Sequence, residues 1–591
     1  MDGRDTGTTA DDRGAAPTVR PSAGNRPGTG GPVTLRLHVN VFDYTILAIY
    51  FAVVIGIGLV ARRAVATSED FLLSGRSLPA WITGLAFISA NLGAIEILGM
   101  AANGAQYGLS TLHFYWIGAV PAMVFLGLVM MPFYYGSRVR SVPEYLRRRF
   151  NPATHLFNAI SFAAAAVLIA GVNLYALGLV INALIGWPIF VSIAVAAGFV
   201  LAYITLSGLS GAIYNEVLQF FVILAGLIPI VIIGLSKVGG YSGLKEKVAH
   251  TALGQNSFST WHGTGVGHWT NPLGDWVGIV FGLGFVLSFG YWTTNFAEVQ
   301  RTLAAKDLSS AQRTPLIGAY PKIFIPALTI IPGLLALVLV PHFGTGKLLY
   351  NDAIPLLMNQ LLPNGVLGVA LAGLLAAFMA GMAANVSSFN TVFTYDIWQT
   401  YVRKGRDDGY YLKVGRWVTV IGVAVSIFTA LIAAGYSNIM NYIQLLFSFF
   451  NAPLFATFII AMFWTRTSPW SGVCGLAAGT IGAGVMHLAA YHIAYFYPGQ
   501  HLDPTHATIN AQLANFYGAI VAFVVDAIVT VAVTLVTPPK PLSELQGLVW
   551  GTRAPGAPDP KLAPKPVWWQ SPKILGFGAL GITAVLSLIF V

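Results

Sequence analysis

The chain has 591 residues, of which 56% are hydrophobic and 9% charged, and its mean hydropathy is +0.70. A soluble globular domain carries about 25% charged residues, so the polar surface here is too small for a water-soluble protein of this length, and a polytopic membrane protein is expected. The formal charge of +10 reads as basic loops facing an anionic leaflet and implies no nucleic acid partner. The lone Cys474 excludes an internal disulfide and a cysteine-cluster metal or redox site. No cofactor is implied.

In chain order, residues 1–40 are rich in Gly, Pro, Thr, Asp and Arg without an apolar run, the composition of a disordered tail and not of a cleavable signal peptide. Fourteen apolar windows follow, each of the length that crosses the hydrocarbon core as a helix. They fall at about 42–61, 80–101, 112–135, 157–181, 188–207, 213–236, 274–297, 320–341, 364–395, 414–434, 439–464, 470–492, 514–536 and 574–590. Residues 537–573 form a Pro-rich polar connector before the last window (574–591). Lys and Arg set the orientation. Loops after the first, third, seventh, ninth, eleventh and thirteenth windows hold 22 of them, against four in the alternate loops. Both termini are therefore expected outside a cell (inner) membrane, against the five arginines of the tail.

Ionisable residues at membrane depth are costly and usually functional. Glu96 lies deep in the second window and Lys322 just inside the eighth. Glu216 sits in the sixth, while Glu298, Asp275 and Asp396 fall at window ends and read as interfacial. Asp526, in a late apolar window, reads as a helix contact or a cavity residue. The second and seventh windows are also rich in glycine, with Gly84, Gly93 and Gly99 in one and Gly278, Gly282, Gly284 and Gly290 in the other. Small residues packing helices closely explain this pattern. So does a pair of discontinuous helices at matching places in two halves, the pointer to a transporter with inverted repeats and a midplane site. The repeats would be 80–236 and 274–464, five spans each, with 42–61 before them and two accessory helices (470–536) after. In the run ISANLGAIEILGMAANG (88–104), Asn91 and Gly93 mark the expected break. The Asn91 amide is expected to close it, and Glu96 reads either as a structural acid paired with Lys322 or a backbone donor, or as a solute or proton site projecting from the next turn.

Several runs resemble the sodium/solute symporter family, in the branch of the sodium–sugar (galactose/glucose) cotransporters. They are ISAN (88–91), VPEYLRRRFN (142–151), SGLSGAIYNEVLQ (207–219), YWTTNFAEVQRTLAAKDL (291–308), GAYPKIFIPALTIIPG (318–333), FNTVFTYDIW (389–398) and NYIQLLFSFFNAP (441–453). The resemblance implies an all-α LeuT-type fold with two inverted five-helix repeats and Na⁺-driven symport of a small polar solute, sugar-like as first reading. It implies a cation site formed by carbonyls of Ser89, Leu92 and Ala377 and by side chains at Ala380 and Gly381, with Glu216 as an acidic neighbour. It implies solute contacts from Glu96, Tyr115, Ser288, Tyr291, Lys322 and Gln444, with Tyr291 as inner gate beside Trp292. Ala380 and Gly381 stand where the family has hydroxyls, and Glu96 and Tyr115 depart from the family's sugar contacts. H⁺ coupling, or a sodium-independent carrier of another solute, therefore remains open. Neither a catalytic constellation nor a fused signalling domain is legible, so an enzyme and a transporter-like sensor are disfavoured. A channel would have no need of paired broken helices.

Overall fold

The computed structural model describes residues 36–61, 67–265, 273–344, 348–496, 507–552 and 567–591. The tail (1–35), the middle of the Pro-rich connector (553–566), Arg62, Arg63, Lys347, His501 and His506 lie outside them.

In hydrocarbon no water satisfies a peptide group, so apolar runs fold as helices that bond internally. All fourteen windows are helical. They are α1 (Val41–Ala61), α2a and α2b (Ala80–Asn91 and Ile95–Leu112), α3 (Phe114–Gly136), α4 (Pro152–Ile185), α5 (Ile189–Ala202) and α6 (Leu209–Val238), which run on without a break as one helix over Ile189–Val238 where the sequence predicts two spans, then α7a and α7b (Gly278–Thr294 and Phe296–Leu303) and α8 (Leu308–Leu339). After these come α9 (Val366–Val402), α10 (Asp408–Ala434), α11 (Ile439–Phe463), α12 (Ser471–Ala489), α13 (Gln512–Val536) and α14 (Pro572–Ile589). Helix α4 packs on α9 and α10, α6 on α9, and α13 on α11 and α12, while both halves of α2 run along α8. Large apolar side chains such as Phe428, Leu488 and Leu588 point outward, as a lipid-facing surface requires.

Two spans are broken: α2a and α2b meet at 57°, α7a and α7b at 48°. The first break falls where Asn91 and Gly93 predict it, but the Asn91 amide does not close it. The Leu92 N–H folds back on the carbonyls of Ile88 (3.0 Å) and Ser89 (3.1 Å). The next exposed donor, the Ala94 N–H, is taken by Asn173 Oδ1 of α4 at 2.9 Å, and Asn173 Nδ2 donates to Ile169 O of its own helix. A Cβ on residue 93 would lie 2.5 Å from Asn173 Oδ1 and 3.3 Å from the Gly381 Cα of α9. Glycine is therefore required by close approach.

The second break lies at Asn295, five residues beyond the last glycine of α7a. Asn295 Oδ1 accepts from the Ala297 N–H (3.0 Å) and starts α7b. Gly282 and Gly290 instead let the backbones of Phe516 and Asn451 approach, so in α7 the packing reading of the glycines holds. Helix α7b is held by its own polar side chains. Arg301 pairs with Glu216 of α6 through two nitrogens, and Gln300 Nε2 donates to Leu72 O and Thr391 Oγ1, each at 2.8 Å.

Acids expected at the interface are inside. Asp275 caps α7a by accepting from the Gly278 N–H, and Asp396 meets His155 Nε2 at 2.9 Å. Glu298 is 2% exposed. Asp526 is a helix contact, accepting from Thr457 (2.8 Å) and Thr530 (3.0 Å). Two residues counted as loop cations, Arg149 and Arg301, are also fully buried, with Arg149 donating to the carbonyls of Ala461, Trp464 and Thr467.

Two stability outcomes follow. Asn173→Leu leaves the Ala94 N–H buried without an acceptor, which costs about 1–3 kcal/mol, so thermal unfolding of the purified protein should start at lower temperature; an unchanged midpoint contradicts the amide staple. Glu216→Leu alone strands Arg301 and should cost about 3–5 kcal/mol, whereas the double variant with Arg301→Met should recover most of it; equal loss in both would mean that charge pairing is not what holds α7b.

Candidate solute and cation sites

A small cavity of about 70 Å³ opens beside the first break, against the C-terminal part of α7a. All six expected solute residues line it: Glu96, Tyr115, Ser288, Tyr291, Lys322 and Gln444. Asn91, Phe114, Trp292, Met440 and Phe447 complete the apolar and aromatic wall. A π-type turn over Ile95–Gly99 carries Glu96, just past the break, so the interruption of the helix aims the carboxylate at the cavity.

Lys322 is the hub. Its ammonium lies 2.8 Å from Glu96 Oε1, donates to Asn91 Oδ1 at 2.6 Å, and sits 4.9 Å and 5.3 Å from the ring centres of Tyr115 and Trp292. Asn91 thus has a job other than closing the break. Its Nδ2 donates to the Tyr291 hydroxyl (3.0 Å), which donates to Glu298 Oε1 (2.6 Å). One hydrogen-bonded chain joins the cavity to the far side of the second break. Tyr291 also packs against Phe447, ring centres 4.7 Å apart, and lines the cavity. The Tyr115 hydroxyl is shared with Thr329 Oγ1 (2.8 Å). Ser288 spends its proton on Leu283 O of its own helix, which leaves an oxygen lone pair as its only polar offer. Gln444 Nε2 leans on the Met440 sulfur at 3.7 Å, and its Oε1 is buried with no hydrogen-bond partner.

Of the expected cation residues on α9, Gly381 lies against the α2 break, its Cα 3.3 Å from where a Cβ on residue 93 would stand. Their oxygens, however, are sparse. Ser89 O is taken by the Leu92 N–H and Gly381 O by Asn385 Nδ2 (2.8 Å), while Ala380 and Gly381 bring no side-chain oxygen. The Asn173 amide fills the space beside Gly381, 2.5 Å from where a Cβ would stand. Among the side chains of this set, the Ser89 hydroxyl is buried and unpartnered; one hydroxyl does not make a cage for a hard cation, which takes oxygen ligands. Glu216, the expected acidic neighbour, is bound to Arg301, so its charge is already answered.

Three residues that the sequence reading left outside the site touch the breaks or the cavity wall: Asn173, Glu298 (read as interfacial) and Phe447. Asn173 was one polar residue in an apolar helix, with nothing local to show what it bonds. Glu298 stands seven residues after Tyr291, two helical turns on, and that spacing was the available signal. Phe447 follows Gln444 by three and shares its face.

The sodium:solute symporter family matches residues 71–479. The sodium/glucose cotransporter 4 of Danio rerio is 28% identical over 547 residues, covering 88% of this chain and 82% of that protein. The sodium/glucose cotransporter 2 of Rattus norvegicus is 30% identical over 553 residues, covering 87% and 81%. The sodium/glucose cotransporter of Vibrio parahaemolyticus is 28% identical over 460 residues, covering 74% and 84%. Among solved structures, a substrate-bound, outward-open Na⁺-coupled sialic acid symporter superposes with a TM-score of 0.68 at 21% identity, covering 85% of this chain and 99% of that one. The fold is thus all-helical and LeuT-type, as the sequence resemblance implied. By the extent of the family match, the chain belongs to the sodium:solute symporter family.

Proposed function

We propose that this secondary transporter carries a small, hydroxyl-rich, sugar-like solute inward across the cell membrane together with a cation, by alternating access around the cavity beside the first helix break. The observation that carries the solute class is the balance of free polar groups. The strong donors of the cavity, Lys322 and Asn91, are already spent on Glu96 and Tyr291. The acceptors still on offer are Gln444 Oε1, without a partner, the Ser288 oxygen, and Glu96, which is shared between the Lys322 ammonium and the Tyr115 hydroxyl. A buried acceptor left unmade costs about 1–3 kcal/mol, so the site favours a ligand that brings hydroxyl donors. Trp292, Phe447 and Tyr291 supply faces for the carbon–hydrogen side of such a ring. The printed names of the relatives, sodium/glucose cotransporters, agree with that chemistry.

Sodium is the ion in those names and the first reading for the coupling cation. A second reading, H⁺ coupling, is favoured by one observation: the Asn173 amide beside Gly381, where the resemblance puts hydroxyls of the sodium site. Repeats 80–236 and 274–464 would rock about the cavity, with both termini outside and the basic loops in the cytoplasm.

Counterflow of labelled glucose in proteoliposomes tests the reading. Exchange should be saturable, and Gln444→Leu, which keeps the bulk and removes the free acceptor, should raise the half-saturation concentration about 10- to 100-fold, the equivalent of about 1.4–2.7 kcal/mol. Exchange indifferent to Gln444→Leu, or no exchange of any polyhydroxylated solute, would contradict it.

A further inference from the structure

The cluster around the breaks does not balance in charge. It holds three acids, Glu96, Glu216 and Glu298, and two bases, Lys322 and Arg301, all buried. Lys322 is matched to Glu96 and Arg301 to Glu216. Glu298 is the remainder. Among the described residues no Lys, Arg or His lies within ion-pair distance of it; Oε1 accepts from the Tyr291 hydroxyl, and Oε2 is buried with no partner. An isolated carboxylate in a low-dielectric interior is expensive enough that such a group takes up a counter-charge.

Its position gives the remainder a use. Tyr291 stands on α7a and Glu298 on α7b, with the break at Asn295 between them, so their hydrogen bond closes across the hinge. Tyr291 also lines the cavity and is tied through Asn91 to Lys322 and Glu96. Solute contact at Glu96 and loading at Glu298 therefore share one chain of hydrogen bonds. The Asn91 amide donates a hydrogen bond but does not ionise, so the chain transmits position and not a proton.

We propose that Glu298 is the coupling-proton site of this transporter, an inference that rests on the symport reading above. A proton from the outer side binds the free Oε2 and makes Glu298 neutral, which permits its burial with the hinge closed. When α7b swings from α7a, the Tyr291 bond breaks, water reaches Glu298, and the proton leaves to the cytoplasm as the carboxylate is hydrated. The sign is fixed by burial: the closed hinge binds the proton more tightly than the open one, so an acidic exterior drives inward transport. The groups facing Glu298 are Tyr291 from α7a, Lys322 from α8 with Glu96 behind it, and Arg301 on its own helix, already held by Glu216. Tyr134 of α3 donates to Thr293 O. Helix α2a and the Val366–Thr391 part of α9, which also pack on α7b, bring no titratable residue.

The test uses the full chain in two arms. Infrared spectra of the protein in nanodiscs, titrated from mildly acidic to mildly alkaline pH, should show a protonated-carboxyl band that Glu298→Gln removes and that Asp526→Asn, the control at another buried acid held by neutral donors, leaves in place. Glu298→Asp should keep the band at a shifted frequency, which separates loss of the acid from misfolding. In proteoliposomes an inward proton gradient should accumulate glucose above equilibrium, and Glu298→Gln should bring the ratio of accumulated to counterflow-exchanged solute down to one. A spectrum indifferent to Glu298→Gln, or accumulation driven by a sodium gradient and not by a proton gradient, overturns the proton site while leaving the solute reading intact. A band lost with Glu298→Gln but no glucose exchange upholds the proton site and overturns the solute class.

Discussion

A helix inside a bilayer can stop only where something other than water takes the hydrogen bonds it abandons. In this chain the first such stop is held by one amide. Asn173 of α4 reaches across to the Ala94 N–H, and Gly93 and Gly381 are both bare so that it fits. Nearly everything functional is placed by that contact. It fixes where α2a ends, and hence where the π-type turn carrying Glu96 begins. It also presses α2 against α9, the pair of helices that the family resemblance makes the cation site.

Charge balance sets the second constraint. Two ion pairs, Glu96–Lys322 and Glu216–Arg301, are buried near the midplane, where a stranded partner would be costly. They play different parts. Glu216–Arg301 ties α7b to α6 and touches no cavity, so it is architecture. Glu96–Lys322 forms part of the cavity wall, and its ammonium also reaches Asn91, two aromatic faces and, through Tyr291, the hinge at Asn295. On the proposed reading, a solute that hydrogen-bonds Glu96 would compete with the ammonium, and the Asn91–Tyr291 hydrogen bonds would carry that change to the second break.

Most spans were legible because lipid permits only long apolar helices: every one of the fourteen windows is helical, while the described residues give 11 candidate spans, or 13 with each bent pair as one, and the fifth and sixth windows run on as one helix. The cavity lining was legible through polar residues at membrane depth and through the family runs, which together picked Glu96, Tyr115, Ser288, Tyr291, Lys322 and Gln444. What hydropathy does not carry is depth at a span end. Glu298 and Asp396 read as interfacial because polar loops follow them, yet α7b and the end of α9 fold inward and bury both. Arg149 and Arg301 counted as loop cations for the same reason. Partnership across sequence was equally hidden. Nothing near Asn173 indicates that its acceptor closes a break 79 residues away, and Asn91, adjacent to that break, was the more natural guess. The glycines of α7a pointed to the correct broken helix while serving only its packing.

The central claim is that the cavity beside the first break is the solute site, and imaging the occupied protein tests it most directly. A cryo-electron-microscopy map of the chain in nanodiscs with saturating glucose or galactose should show ring-shaped density between Trp292 and Gln444, with a hydroxyl on Gln444 Oε1 and another on the Glu96 carboxylate. Density absent from this cavity and present elsewhere, for example in the cleft lined by Tyr241, Asn256 and Phe590, would contradict the account.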